Sequence, residues 1–428
     1  MGIFLTPPGM ARALGAPGLV FLVWAFMGLC ALCGALSLGE LASRYPEAGG
    51  LYVYLREAHG PAAAFLYGWK CLLVMDPGLT AALAMGLGAY AQAAFPGLAP
   101  TPVALAAILA IAAANLLGVR LAGVIGHGLA LAKIALLVGL VAWGFASGAG
   151  ELGRFSPFFA RPQGAGPLVP ALASALVLAF FSFGGWWEAA KLAGEVREPQ
   201  KALPRALVFG VGAVTLLYLA ASAVFLYLVP TSAAGSDETF VAQAGLALFG
   251  SAGARVLSAL VVVFVGSTLF AFMTFAPRLY FAMARDGAAP AFAGRVHART
   301  GAPVAAIALQ AGLAAVLTAL GSFGAVVAYF VFVTVGFLAL AVLGLYRLPR
   351  PASGAYRVPG WPLTPLVFVL MLAVTMTLLA AGNPRQALLG VAVVAAGAPV
   401  YRLLVSRAAI RPRAAERAGF TPASGAGG

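Results

Sequence analysis

Apolar residues dominate the chain in long blocks separated by short segments that carry nearly all of its charge. Blocks of spanning length fall near 17–43, 62–94, 101–117, 122–147, 168–193, 204–229, 255–284, 303–320, 323–346, 363–381 and 386–405, preceded by a short apolar piece at 3–13. About 20 apolar residues cross a bilayer as a helix, so the pattern predicts eleven spans and part of a twelfth. The block at 62–94 exceeds what a bilayer needs and is expected to tilt or extend past it. Two blocks are interrupted by helix-breaking residues: GIFLTPPG opens residues 1–147, and FSFGGW lies near the start of 168–346. Broken spans at corresponding positions of two halves are the sequence mark of a transport site.

Composition narrows the class. Of 428 residues, 62% are hydrophobic and 9% charged, against roughly 25% charged in soluble domains. A soluble fold of this size has too little polar cover for such a chain, which leaves an all-α, polytopic membrane protein. The net charge of +14 suggests nucleic acid only until the basic residues are located. They lie between the apolar blocks, as in cytoplasmic loops, and no nucleic-acid partner is expected. With the loop after 17–43 inside, nineteen Lys and Arg fall inside and five outside. This predicts a multi-pass protein of the cell membrane with a cytoplasmic C-terminus. Residues 411–428 lack apolar periodicity and read as a disordered tail.

Enzyme chemistry finds no support. His59, His127 and His297 have no second ligand at metal spacing, and no nucleophile-and-base set or phosphate loop occurs. Cys30, Cys33 and Cys71 lie in apolar blocks and read as small packing residues. No cofactor is expected, and no cleaved leader, since the first apolar run has no basic region before it.

The intramembrane charges are more informative. Lys133 sits about 16 Å into its span at 1.5 Å per residue. An unpaired charge there costs at least about 2.5–3.5 kcal/mol, so Lys133 calls for a partner or a role. Asp76 is a second such charge, free to pair with Lys133, bind a proton or face solvent. Glu188 with Lys191 at i,i+3, and Lys191 with Glu195 at i,i+4, read as ion pairs on one helical face.

A helix broken at mid-membrane bares N–H and C=O groups that no water is free to satisfy. A zwitterion answers both: the N–H end of one half-helix receives a carboxylate, and the carbonyl end of the other receives an ammonium.

The ordered motifs support a resemblance over nearly the whole chain. GIFLTPPGMARALGAPGLVFLVW and GALSLGELASRYPEAGGLYVYL resemble the first two spans of permeases of the amino acid–polyamine–organocation superfamily, in particular its L-type amino acid transporter branch. FFSFGGWWEAAKLAGEVREPQKALPRAL resembles that branch's sixth span and following loop, PRLYFAMARDGAAPAFAGRVHARTGAPV the loop after its eighth, and GAPVYRLL its last span. The resemblance implies a leucine-transporter-like fold of two inverted repeats of five helices plus two more. It divides the chain into a first repeat (1–147), a second (148–346), helices 11 and 12 (347–410) and the tail (411–428). By this alignment Met1 stands at the middle of the family's G-S-G motif. The first half of helix 1 is then missing from the chain as given, through a start assigned too far downstream or a real truncation.

The resemblance further implies that Gly2 and Ile3 offer N–H groups to the substrate carboxylate. Carbonyls of Phe181, Ser182 and Gly184 would hold the ammonium, within a substrate-binding segment that includes Phe183. Phe181 is implied to gate the site, Gly184 to leave room for a bulky apolar side chain, and Thr334 with Val335 to line the pocket's far side. In ALAKIALL, Lys133 matches a lysine that stands where sodium-coupled relatives hold sodium, and it is implied to couple transport; no family role carries over to Asp76, which is a second coupling candidate by its intramembrane charge alone. Glu195 matches an acidic inner-gate position. The loop AAFPGLAPTP lacks the cysteine that joins eukaryotic members to a heavy chain, so no disulfide-linked heavy chain is expected. The implied function is secondary active transport of neutral L-amino acids by exchange or proton coupling. The alternatives are a symporter of cationic amino acids or polyamines, and a truncated, non-transporting relic or membrane sensor.

Overall fold

The computed structural model describes residues 2–229, 240–320, 324–351, 355–382 and 384–405; the predicted tail at 411–428 lies outside them. All regular structure among these residues is helical. The helices are α1 (Gly2–Leu14), α2 (Pro17–Arg44), α3 (Leu51–His59), α4 (Pro61–Lys70), α5 (Asp76–Ala94), α6 (Pro100–Leu116), α7 (Val119–Ala146), α8 (Leu168–Phe183), α9 (Pro199–Leu228), α10 (Phe240–Phe249), α11 (Gly253–Arg285), α12 (Val304–Leu320), α13 (Gly324–Leu343), α14 (Leu363–Gly382) and α15 (Pro384–Leu404). Seven described segments are long and apolar enough to cross a membrane: Pro17–Arg44, Pro61–Ala94, Leu121–Ala146, Leu168–Glu195, Pro199–Leu228, Gly253–Arg285 and Leu363–Ala381. Pro100–Leu116, Val304–Leu320, Phe332–Tyr346 and Ala387–Leu403 are shorter apolar helices. Each apolar block read from the sequence coincides with one of these eleven.

The block at 62–94 is one span with a defect. Between α4 and α5 the chain winds as a π-helix over Cys71–Met75, directly before Asp76 and Pro77. Pro77 lacks the N–H that an α-helix would give the carbonyl of Leu73, and its ring crowds that carbonyl. A wider turn there relieves the conflict, and such bulges occur often at functional sites.

α1 contains Pro7 and Pro8 yet runs as one helix, so the apolar piece at 3–13 is continuous rather than internally broken. Gly15 ends it at φ 69°, with its N–H on the Ala11 carbonyl at 2.8 Å. Arg161 donates to the terminal carbonyls of Leu14 (3.0 Å) and Ala13 (3.3 Å), matching cation to negative helix end. α1 packs on α8, and α2 on α9. At the second contact Gly28 lies directly against the Thr215 side chain, where no larger residue fits. Small residues at helix contacts are how membrane helices approach closely. Trp24 of α2, Phe183 of α8 and Tyr218 of α9 form a buried aromatic cluster, with centroids 5.2–5.9 Å apart.

Candidate functional site: a broken helix above a buried charge cluster

The chain breaks after α8. The Gly184 N–H bonds the Phe180 carbonyl at 2.9 Å and the Phe181 carbonyl at 3.3 Å, closing the helix. Gly184 is extended (φ −56°, ψ 145°), and Gly185 is left-handed at φ 104°, a conformation that favours glycine. The chain then resumes as a 3-10 helix over Trp186–Glu195.

The start of α1 meets this break. A Cβ on Gly2 would lie 2.6 Å from the Ser182 Cα, so only glycine permits the contact. The Thr6 hydroxyl donates to the Gly2 carbonyl at 2.9 Å and lies 2.7 Å from the Ser182 hydroxyl. Ser182 also reaches the Leu178 carbonyl at 3.0 Å, so two hydroxyl protons serve three contacts. Tyr218 donates to the Ser182 carbonyl at 2.9 Å, which leaves that oxygen one further lone pair. Gly2 and Ile3 occupy the first turn of α1, where N–H groups have no partner within the helix.

The sequence-read site residues thus divide. Gly2, Ile3 and Ser182 come together on α1 and α8. Phe181 is 38% exposed, whereas Phe183 is buried against Trp24 and Tyr218. Gly184 lines a cavity of about 10 Å³ with Cys30, Ala31 and Trp187, far below the roughly 300–1,000 Å³ of a ligand pocket. The break is tightly closed in this conformation. Thr334 is engaged elsewhere, accepting a bond from Lys70 Nζ at 2.6 Å.

The charges depart from the sequence reading in three ways. Asp76 neither faces solvent nor pairs with Lys133: it is fully buried, and its carboxylate lies 3.6 Å from Lys191. Lys133 sits half-buried on α7, without a hydrogen bond or ion pair among the described residues. Glu195 does not pair with Lys191. In a 3-10 helix side chains eclipse at i,i+3, so Glu188 stacks on Lys191 at 2.5 Å while Glu195 turns away. It receives a two-pronged bond from Arg278 of α11, at 2.9 and 3.2 Å. Lys70 completes a buried cluster with Asp76, Glu188 and Lys191. Its ammonium reaches Thr334, lies 3.1 Å from Met75 Sδ and stands 5.0 Å over the Tyr67 ring. Four charges in YGWKCLLVMDP and WEAAK were visible in the sequence; the topology that gathers them was not.

At the arginine-rich end, a cleft of about 400 Å³ is lined by Glu47, Arg56, Glu195, Arg278, Arg285 and Asp286, among others. Arg56 of α3 binds Asp286 at 2.6 Å and Glu47 at 3.0 Å, and Tyr52 donates to Asp286 at 3.1 Å. Burial, reinforced by the Asp286 charge, pushes the Tyr52 phenol up. The turn before α3 rests on the 3-10 helix, with the Gly49 N–H on the Lys191 carbonyl at 3.2 Å. His59, at the end of α3, is 2.7 Å from the Leu340 carbonyl through Nε2, and Arg347 lies 2.9 Å from Nδ1. Arginine only donates, so Nδ1 accepts and the ring is neutral. Burial lowers the His59 pKa, the Leu340 bond opposes this, and the Arg347 charge adds to the lowering. No group of three His, Cys, Asp or Glu suited to a metal occurs among the described residues.

Comparison with known proteins places this geometry in context. The sequence model of a family described as amino acid permease matches residues 1–397. Over 378 residues the chain is 26% identical to the serine/threonine exchanger SteT of Bacillus subtilis (strain 168), covering 86% of this chain and 84% of that protein. It is 31% identical over 356 residues to the b(0,+)-type amino acid transporter 1 of Oryctolagus cuniculus, covering 80% and 71%. It is 25% identical over 416 residues to the cystine/glutamate transporter of Homo sapiens, covering 94% and 81%.

Proposed function

Because the chain belongs to the amino acid permease family, matched across residues 1–397, we propose that its broken helix and the start of α1 form the binding site of an amino acid transporter for neutral L-amino acids. The chain is a membrane transporter, not an enzyme. We assign α1–α7 (residues 1–147) and α8–α13 (148–346) to two inverted repeats, with α14 and α15 following. We place the C-terminus in the cytoplasm, which the basic asymmetry supports, and the protein in the cell membrane.

The observation that carries the reading is the contact of Gly2 and Thr6 with Ser182 where α8 gives way to the 3-10 helix. Two helix ends of opposite polarity meet there. The first N–H groups of α1, at Gly2 and Ile3, receive the carboxylate. The carbonyls of Phe181 and Gly184, with the remaining lone pair of Ser182, hold the ammonium. Phe181 closes over the ligand, and Phe183 fixes the break through its ring contacts. Thr334 contributes through its bond to Lys70, and Glu195 closes the cytoplasmic end through Arg278. Lys133 and Asp76 are assigned to coupling.

Asp76 is neutralised by Lys191, which argues against a pocket acid for cationic substrates. Exchange and proton coupling both fit. The 95–99 loop has no cysteine, which supports the expectation of no disulfide-linked heavy chain. Purified protein in liposomes preloaded with unlabelled amino acid should accumulate labelled L-serine, L-alanine or L-leucine faster than L-lysine or L-glutamate. Uptake of none of them, or of lysine alone, rejects the reading.

A further inference from the structure

The buried cluster holds an imbalance that packing does not explain. Lys191 is the one ammonium facing two carboxylates, at 2.5 Å from Glu188 and 3.6 Å from Asp76. The second ammonium, Lys70, is directed instead at Thr334, Met75 and the Tyr67 face. Neither oxygen of Asp76 receives a well-directed hydrogen bond, and both are fully buried. A buried carboxylate that shares a single ammonium with Glu188, at 3.6 Å, recovers only part of its desolvation cost. A proton on Asp76 removes it and leaves Lys191 to Glu188 alone.

The cluster also sits at a mechanical junction. The 3-10 helix that carries Glu188 and Lys191 begins at the Gly184–Gly185 break and ends at Glu195, whose carboxylate is bound by Arg278 in the wall of the 400 Å³ cleft. Four residues separate Lys191 from Glu195, about 8 Å at the 3-10 rise, so the aqueous cleft ends roughly one turn from the cluster. On its other side, Asp76 follows the π-helix Cys71–Met75, an irregular turn able to change winding. The groups facing Asp76 are Glu188 and Lys191 from the 3-10 helix, Tyr280 from α11, and Tyr67, Lys70 and Cys71 from its own span; Thr334 of α13 holds Lys70.

We propose that Asp76, Glu188, Lys191 and Lys70 form a proton-binding site in which a proton from the cytoplasmic cleft occupies Asp76 and frees the 3-10 helix from the Pro61–Ala94 span. The step balances simply: one water-borne proton bonds to one carboxylate oxygen, and the Lys191–Asp76 ion pair is lost. With that tie gone, the segment joining the break to the Glu195–Arg278 gate can move. The use of this device in coupling rests on the transport reading, but the site does not.

The test therefore needs no substrate. The full chain in lipid nanodiscs is acidified stepwise and followed by infrared difference spectroscopy, with hydrogen exchange of residues 186–195 measured in parallel. The expected result is a C=O stretch of a protonated carboxyl that is absent in Asp76→Asn and retained in Glu188→Gln. Exchange at 186–195, corrected for intrinsic rate, should rise with the same midpoint. No such band in the wild-type chain, or an identical band in Asp76→Asn, overturns the site. A band without the change in exchange overturns the release. Should Asp76→Asn not yield monodisperse protein, Asp76→Glu must shift the band in frequency, and an unmoved band overturns the assignment. Failure of amino acid uptake would reject transport and leave these spectra as they are.

Discussion

Replacing Lys191 by methionine isolates the energetics of the buried cluster. Methionine approximates the lysine stem and removes only the charge. The ammonium is 2.5 Å from Glu188 and 3.6 Å from Asp76, and all three side chains are at most 2% exposed. At an effective dielectric of about 20, Coulomb's law gives attractions of roughly 6–7 and 4–5 kcal/mol for the two contacts. The cost of burying Lys191 offsets much of this, so the net loss is expected at about 3–5 kcal/mol, as when one partner of a buried pair is removed. The assay is reversible unfolding in mixed detergent micelles, run as a double-mutant cycle with Asp76→Asn. Lys191→Met should be the least stable protein of the cycle, and adding Asp76→Asn should restore at least about 1 kcal/mol by removing a stranded charge. A Lys191→Met protein within about 0.5 kcal/mol of wild type, with no coupling to Asp76, would refute this electrostatic reading.

Three further outcomes are expected. Gly185→Ala places a side chain at φ 104° and should cost about 1–2 kcal/mol, read as a lower unfolding midpoint and impaired uptake. Glu40 accepts the Val358 N–H at 2.7 Å and pairs with Arg44, which also binds the Pro349 carbonyl at 2.6 Å. Glu40→Ala should cost about 1.5–3 kcal/mol and raise hydrogen exchange around Val358. The lowered pKa of His59 makes its contribution present above the ordinary histidine value near 6.5 and lost as pH falls through the folded value, because the unfolded state then binds more protons. Acidification should therefore speed exchange at the end of α3, and His59→Gln should remove that dependence.

The spans were legible because burial in lipid imposes length and apolarity on every crossing helix, and these are properties of local sequence. The break at Gly184–Gly185 was legible for a similar reason: adjacent glycines after an apolar run end helices. Pro7 and Pro8 misled: Pro7 cannot donate to the Ile3 carbonyl four residues back, yet the backbone stays helical from Gly2 to Leu14. The winding of residues 186–195 was not legible. Glu188, Lys191 and Glu195 suit either an α- or a 3-10 helix, and only the Gly185 geometry with packing against the Gly49–Gly50 turn decides between them. The partners of Asp76 and Lys70 depend on contacts between residues more than 100 positions apart, which no local pattern encodes. Lys133 stood out through its depth and its match to a family lysine, and neither says which groups its helix turns it toward.

In the proposed site, the first turn of α1 and the broken end of α8 grip the two ends of one amino acid. A structure of the protein with a bound neutral amino acid tests it most directly. The ligand carboxylate should lie on the Gly2 and Ile3 N–H groups and its ammonium on carbonyls between Phe181 and Gly184. A ligand bound away from these residues, with residues 180–190 wound as unbroken α-helix, would contradict it.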